Sequence, residues 1–217
     1  MIGWDPPGYG KSRPPERSWS NFFREDARLA VKTMRALGYS KFSLAGWSDG
    51  GITALIAAAQ HPTNIHRLVL WGSNAYISQW DIDNINQVAD VSQWSERMRK
   101  PMEEMYGDSF PSLWSGWCQA YRVEPGDISS TLMRIVFQDY FSERAGDICV
   151  GDLANISAET LVIHGMKDVM VAEEHVHHLA ENIKNSQKVI WPEGKHNLHL
   201  KYSKEFNTMI QDFIIKT

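Results

Sequence analysis

An α/β fold with a parallel sheet and a helical insertion is what the 217-residue sequence predicts. Three observations carry that prediction. Strand and helix patterns alternate as far as about Gly72, the alternation resumes at Thr160, and between them the chain turns Met-, Trp- and charge-rich without it. The expected core is therefore residues 1–74 with 152–217, and residues 75–151 form a helical lid.

Taken in order, Ile2-Gly3-Trp4 reads as the end of a strand, and Asp5-Pro6-Pro7-Gly8-Tyr9-Gly10-Lys11-Ser12 as a loop dense in turn formers. Its Gly-Lys-Ser ending imitates a phosphate loop. A true one needs a glycine five positions before its last, where Asp5 stands, and Pro6 and Pro7 lack the N–H groups that would cradle phosphate, so nucleotide binding is excluded here. Phe22, Phe23, Ala27, Ala30, Val31, Met34 and Leu37 recur at helical spacing, with Ser20 or Asn21 as N-cap and Gly38 as the stop. Lys41 to Ala45 alternates like a strand, Ile52 to Ala59 is a small-residue helix ended by His61-Pro62, and Arg67 to Gly72 is a buried strand. Trp94 to Lys100 is helical within the insertion. Thr160 to Gly165 and Gln187 to Trp191 complete the strands, and Phe206, Met209, Ile210, Phe213 and Ile214 mark a closing helix.

Composition narrows the function. A net charge of -4 with no basic run argues against a nucleic-acid partner or a polybasic membrane contact. No apolar run reaches the ~18 residues of a membrane span, and Met1 to Asp5 resembles neither a signal nor a transit peptide. Cys118 and Cys149 are too few for a disulfide framework and read as reduced thiols in an intracellular protein. Most of the nine tryptophans are expected to pack in the core and a minority to line a pocket. The expected partner of this chain, as a monomer, is a small molecule.

The chemistry gathers at Gly46-Trp47-Ser48-Asp49-Gly50-Gly51. A serine with a glycine two residues to either side, between a strand and a helix, has the pattern of a nucleophile elbow, in which Gly46 and Gly50 remove Cβ atoms where helix and strand nearly touch. A serine hydroxyl is a poor nucleophile unless a histidine takes its proton and a carboxylate fixes that histidine's tautomer. Asp168 and His196 follow the ends of two successive strands, where reactive groups collect in open α/β sheets. His199 is the rival base, and Asp152 and Asp147 are rival acids that precede the strand, at the wrong edge. His164 is expected to be buried in its strand. His175 and His178 could share a helix face as metal ligands, but with no spaced carboxylate or cysteine beside them they, with His177, are read as a solvated face. No metal and no cofactor is expected. The backbone N–H of Asp49 stands where an oxyanion donor belongs. Its carboxylate has two open readings: attraction of a substrate ammonium, or capping of the helix at its positive end.

These strings, together with Trp71-Gly72-Ser73-Asn74-Ala75-Tyr76, Trp94-Ser95-Glu96-Arg97 and Pro192-Glu193-Gly194-Lys195-His196-Asn197-Leu198-His199, closely resemble the valacyclovir hydrolase (biphenyl-hydrolase-like) family of the α/β-hydrolase superfamily over essentially the whole chain. The resemblance implies a serine hydrolase of α-amino acid esters, amino-ester prodrugs included. Ser48 would be its nucleophile, Asp168 its orienting acid, His196 its base and Asp49 its contact for the substrate amino group. It also implies a helical lid and, by analogy with animal members, a mitochondrial location. The chain departs from the family in that Met1 falls where the fourth strand begins, and Pro7 stands where many relatives have arginine. The first three strands, the targeting region and the loop bearing the second oxyanion donor are expected to be missing, at a cost of roughly 100- to 1,000-fold in turnover for the donor. Two other readings remain open: hydrolysis of a carbon–carbon bond in aromatic ring-cleavage products, and a catalytically silent truncated form.

Overall fold

The computed structural model describes residues 1–121 and 146–215; residues 122–145 of the expected lid lie outside the described residues. Among the described residues four strands form one sheet: β1 (Phe42–Trp47), β2 (Ile65–Trp71), β3 (Glu159–Gly165) and β4 (Ser186–Trp191), in that order and all parallel. Central and edge strands differ as their sequences require. Leu68, Val69 and Leu70 of β2 are fully buried, and six of the seven β3 residues are buried, because both faces of these strands are covered. β1 and β4 are the edges, and they carry exposed residues such as Ala45 and Gln187.

The chain divides into two compact units, Phe23–Tyr76 with Ile148–Thr217 and Met1–Phe22 with Ile77–Asp147. In the first, α1 (Phe22–Ala36) ends in a Schellman motif: Gly38 at φ +89° donates to Arg35 O and Tyr39 donates to Met34 O. Leu37, expected on the apolar face, falls beyond the helix end and is exposed. After β1 comes α2 (Asp49–Gln60), whose Ile52 and Ala54 to Ala59 are all buried against β1, β2 and the turn at Val150–Asn155. The chain leaves after Tyr76 and returns beside itself, Ile148 and Cys149 both donating to Ala75 O. Then follow α6 (Glu174–Asn182), α7 (Leu198–Lys201) and α8 (Ser203–Ile215). Leu198, Phe206 and Phe213 close over Val69, Leu161 and Ile163, so one sheet face is sealed by the last two helices.

The second unit holds α3 (Gln79–Val88), α4 (Glu96–Tyr106) and α5 (Phe110–Tyr121). Trp94 and Trp114 both donate their indole N–H to Val88 O at 2.9 Å, and Trp114 stacks on Trp117. The expected boundary placed residues 1–22 in the sheet core, but they cluster with the insertion. The reason lies in their contacts: the Arg13 guanidinium covers the Tyr106 ring, the Tyr106 hydroxyl accepts from Gly10 N, and Gly116 lies against the Trp19 indole. Ile2-Gly3-Trp4 is not a strand, since among the described residues no strand neighbours it to pair its backbone groups, and Ile2 is exposed. The loop after it has its own acceptors for amides a phosphate would need, with Lys11 N on Asp5 Oδ2 and Gly8 N on Ser12 O.

Candidate active site

Ser48 sits between β1 and α2 at φ 54° and ψ -126°, a conformation that costs a non-glycine residue about 1–3 kcal/mol and persists only where its surroundings enforce it. They do so from both sides. Ser48 N donates to Trp71 O at 3.0 Å, across the register pair Trp47–Trp71, and Ser48 O accepts from Gly51 N at 2.8 Å. The close approach of helix and strand is made by Gly46 and Gly51. A Cβ on Gly46 would lie 2.3 Å from Gly50 O, and one on Gly51 would lie 2.5 Å from Ser73 Oγ. Gly50, expected to share that role, has open space around its Cβ position because it faces away from β1 in the first helical turn.

Asp168 and His196 come together from loops following β3 and β4. Lys167 N donates to Gly194 O and Met166 N to Trp191 O, which ties the two loops to each other. The Asp168 side chain is 1% exposed, and both its oxygens are engaged: Oδ1 accepts from Met170 N and Val171 N, and Oδ2 lies 2.9 Å from His196 Nδ1. A carboxylate can only accept, so His196 Nδ1 carries the hydrogen and Nε2 is left as the basic nitrogen. Gly72, one residue beyond the carbonyl that holds Ser48, links the pair to the elbow. At φ +54°, a Cβ there would lie 3.0 Å from His196 Nδ1 and 3.4 Å from Asp168 Oδ2. The backbone turn that carries Ser48 and the Asp168–His196 pair thus share the carboxyl rim of the sheet, on either side of Trp71-Gly72.

The rivals are placed elsewhere or bonded otherwise. His199 Nδ1 accepts the Trp71 indole N–H at 3.0 Å, and burial followed by the nearby His196 holds it below the ordinary imidazole value. Asp152 pairs with Arg24 at 2.8 Å, and Asp147 belongs to the other compact unit. His164 is buried in β3, which lowers its pKa. His175, read as part of a solvated face, is instead fully buried with its ring 4.5 Å from that of Tyr76; α6 is covered on that side, and a single sequence gives no signal of the covering residue. Among the described residues no group of three His, Cys, Asp or Glu side chains could hold a metal, and no helix is long and apolar enough to cross a membrane. Both cysteines are buried and unbridged.

Asp49 opens α2, so its N–H lies at the positive end of that helix beside Ser48. Two groups at the rim escaped the sequence reading. Trp47 donates its indole N–H to His196 O at 2.9 Å, and Trp71 holds both Ser48 and His199. Trp47 occupies the variable position of the elbow, which sequence pattern does not weigh.

Comparison with known proteins places the chain in a family. The chain is 42% identical over 216 residues to human serine hydrolase BPHL and 41% identical to the mouse protein, covering 99% of this chain and 69% of each relative. It belongs to the α/β-hydrolase family, with BPHL. Family models described as alpha/beta hydrolase fold and as serine hydrolase (FSH1) match residues 1–104 and 129–202. A solved meta-cleavage product hydrolase from Pseudomonas fluorescens shares the fold at 21% identity, with a TM-score of 0.69 over 96% of this chain and 77% of that one. The protein is a serine hydrolase of this family.

Proposed function

We propose that this hydrolase cleaves carboxylic esters of α-amino acids, amino-ester prodrugs among them, through an acyl-enzyme on Ser48. The observation that carries the reading is the Asp168–His196 pair packed on Gly72, next to the carbonyl that fixes Ser48. Ser48 Oγ attacks the ester carbonyl while His196 Nε2 takes its proton, and the carbonyl oxygen gains negative charge opposite the Asp49 N–H. The C–O bond to the alcohol then breaks, with His196 returning the proton to the departing oxygen. Water adds to the acyl-Ser48 ester by the same relay, releasing the acid and restoring the hydroxyl.

Asp49 supports the choice of amino esters, since a carboxylate on the residue that follows the nucleophile attracts an α-ammonium and repels anionic ring-cleavage products. The test is hydrolysis of an aminoacyl p-nitrophenyl ester and its des-amino analogue by the wild type, Ser48→Ala and Asp49→Ala. Loss with Ser48→Ala and a preference for the amino ester that Asp49→Ala erases are expected. Unchanged hydrolysis by Ser48→Ala would refute the mechanism.

A further inference from the structure

We propose that Trp71, His199 and Trp47 form a relay of contacts that positions His196, with His199 serving as a neutral hydrogen-bond acceptor in it and not as a base; this rests on the hydrolase reading above. Three contacts connect in sequence. The Trp71 indole N–H, a group that can only donate, points at His199 Nδ1 from 3.0 Å. The His199 ring lies 4.8 Å from the Trp47 ring, at 58°. Trp47 in turn lies 5.1 Å from the His196 ring and donates its N–H to the His196 carbonyl at 2.9 Å. Phe206 backs the far side, 5.0 Å from Trp71 and 5.9 Å from His199.

The consequence is a pair of histidines one turn apart in opposite tautomers. His196 donates from Nδ1 to Asp168, and His199 accepts at Nδ1 from Trp71. A protonated His199 would lose the Trp71 bond and set a second cation beside the imidazolium that His196 becomes during the reaction. Burial, which keeps His199 below the ordinary imidazole range, acts in the same direction. Trp71 also supplies the carbonyl that fixes Ser48 N, so one residue sets the backbone of the serine and, through two rings, the place of the histidine. Errors of ~1 Å in such placement cost up to about 100-fold in rate.

Two measurements on the full chain decide this. In 15N-histidine spectra at neutral pH, Nδ1 of His199 is expected at the shift of an unprotonated ring nitrogen, and Trp71→Phe is expected to move it. A protonated Nδ1 in the folded wild type would overturn the proposal. In steady-state assays, Trp71→Phe and Trp47→Phe keep a ring but lose the N–H, and each is expected to lower kcat about tenfold with KM unchanged. Wild-type kcat in both folded variants would also overturn it. If the wild type shows no Ser48-dependent hydrolysis, the hydrolase reading fails, and the His199 ring-nitrogen shift still decides the relay.

Discussion

The two rims of the sheet are both rich in polar side chains, yet they use them differently. At the amino rim, Arg67 is buried with Nε on Glu159 and Nη1 on Phe213 O, while Asn64 accepts from Arg35 and donates to Ser40 O. Each of these bonds joins one element to the next, and the open cavity of about 320 Å³ lined there by Lys41, His66, Arg67 and Glu159 holds no nucleophile on a strained turn. At the carboxyl rim, Ser48 is held at positive φ, and His196 is bonded through one ring nitrogen with the other left basic. Reactivity follows from such strain and unused bonding capacity, and a polar cluster or a cavity alone does not supply it.

Substitutions at the two rims should therefore separate activity from stability. The largest effect is expected from Asp168→Asn, which keeps the shape but reverses the hydrogen-bond sense at His196 Nδ1; kcat should fall about 10⁴-fold with the fold intact by circular dichroism. Gly72→Ala comes next. It adds a Cβ 3.0 Å from His196 Nδ1 at a positive φ, and kcat should fall about 100-fold in a protein that still folds. Asp49→Ala should lower kcat/KM for an amino ester by about 10- to 100-fold, the worth of a charged hydrogen bond, and leave the des-amino ester nearly unchanged. At the other rim, Glu159→Gln removes an ion pair whose carboxylate is 63% exposed, so kcat should hold and stability should change by less than ~1 kcal/mol, read by urea unfolding.

The last prediction concerns pH. Burial lowers the pKa of both His164 and His199 in the folded chain, so the unfolded chain binds more protons just below the ordinary value of 6.5. Stability is then complete above 6.5 and falls as pH drops through 6.5 toward the folded values. His199→Phe should make that fall shallower in thermal melts.

Much of this arrangement could be read from the chain itself. Glycine around Ser48, the strand runs at Leu68 to Leu70 and Leu161 to Ile163, and the places of Asp168 and His196 just after strand runs are local patterns, and local patterns survive translation into sequence. What escaped depends on neighbours distant along the chain. His175 is covered by Tyr76 about a hundred residues earlier, and residues 1–22 join the insertion through Arg13 and Tyr106. Gly51, and not Gly50, makes the close approach because Ser73 from β2's following loop lies against it. Trp47 and Trp71 bear on His196 through indole N–H directions, which composition does not encode.

A Ser48 hydroxyl activated by His196 should become covalently acylated. A fluorophosphonate probe followed by peptide mapping tests it most directly. Labelling confined to the peptide bearing Ser48, abolished in Ser48→Ala and much slower in His196→Ala, is the predicted result. A folded wild-type chain that stays unlabelled, or a label that persists in Ser48→Ala, would contradict catalysis through Ser48.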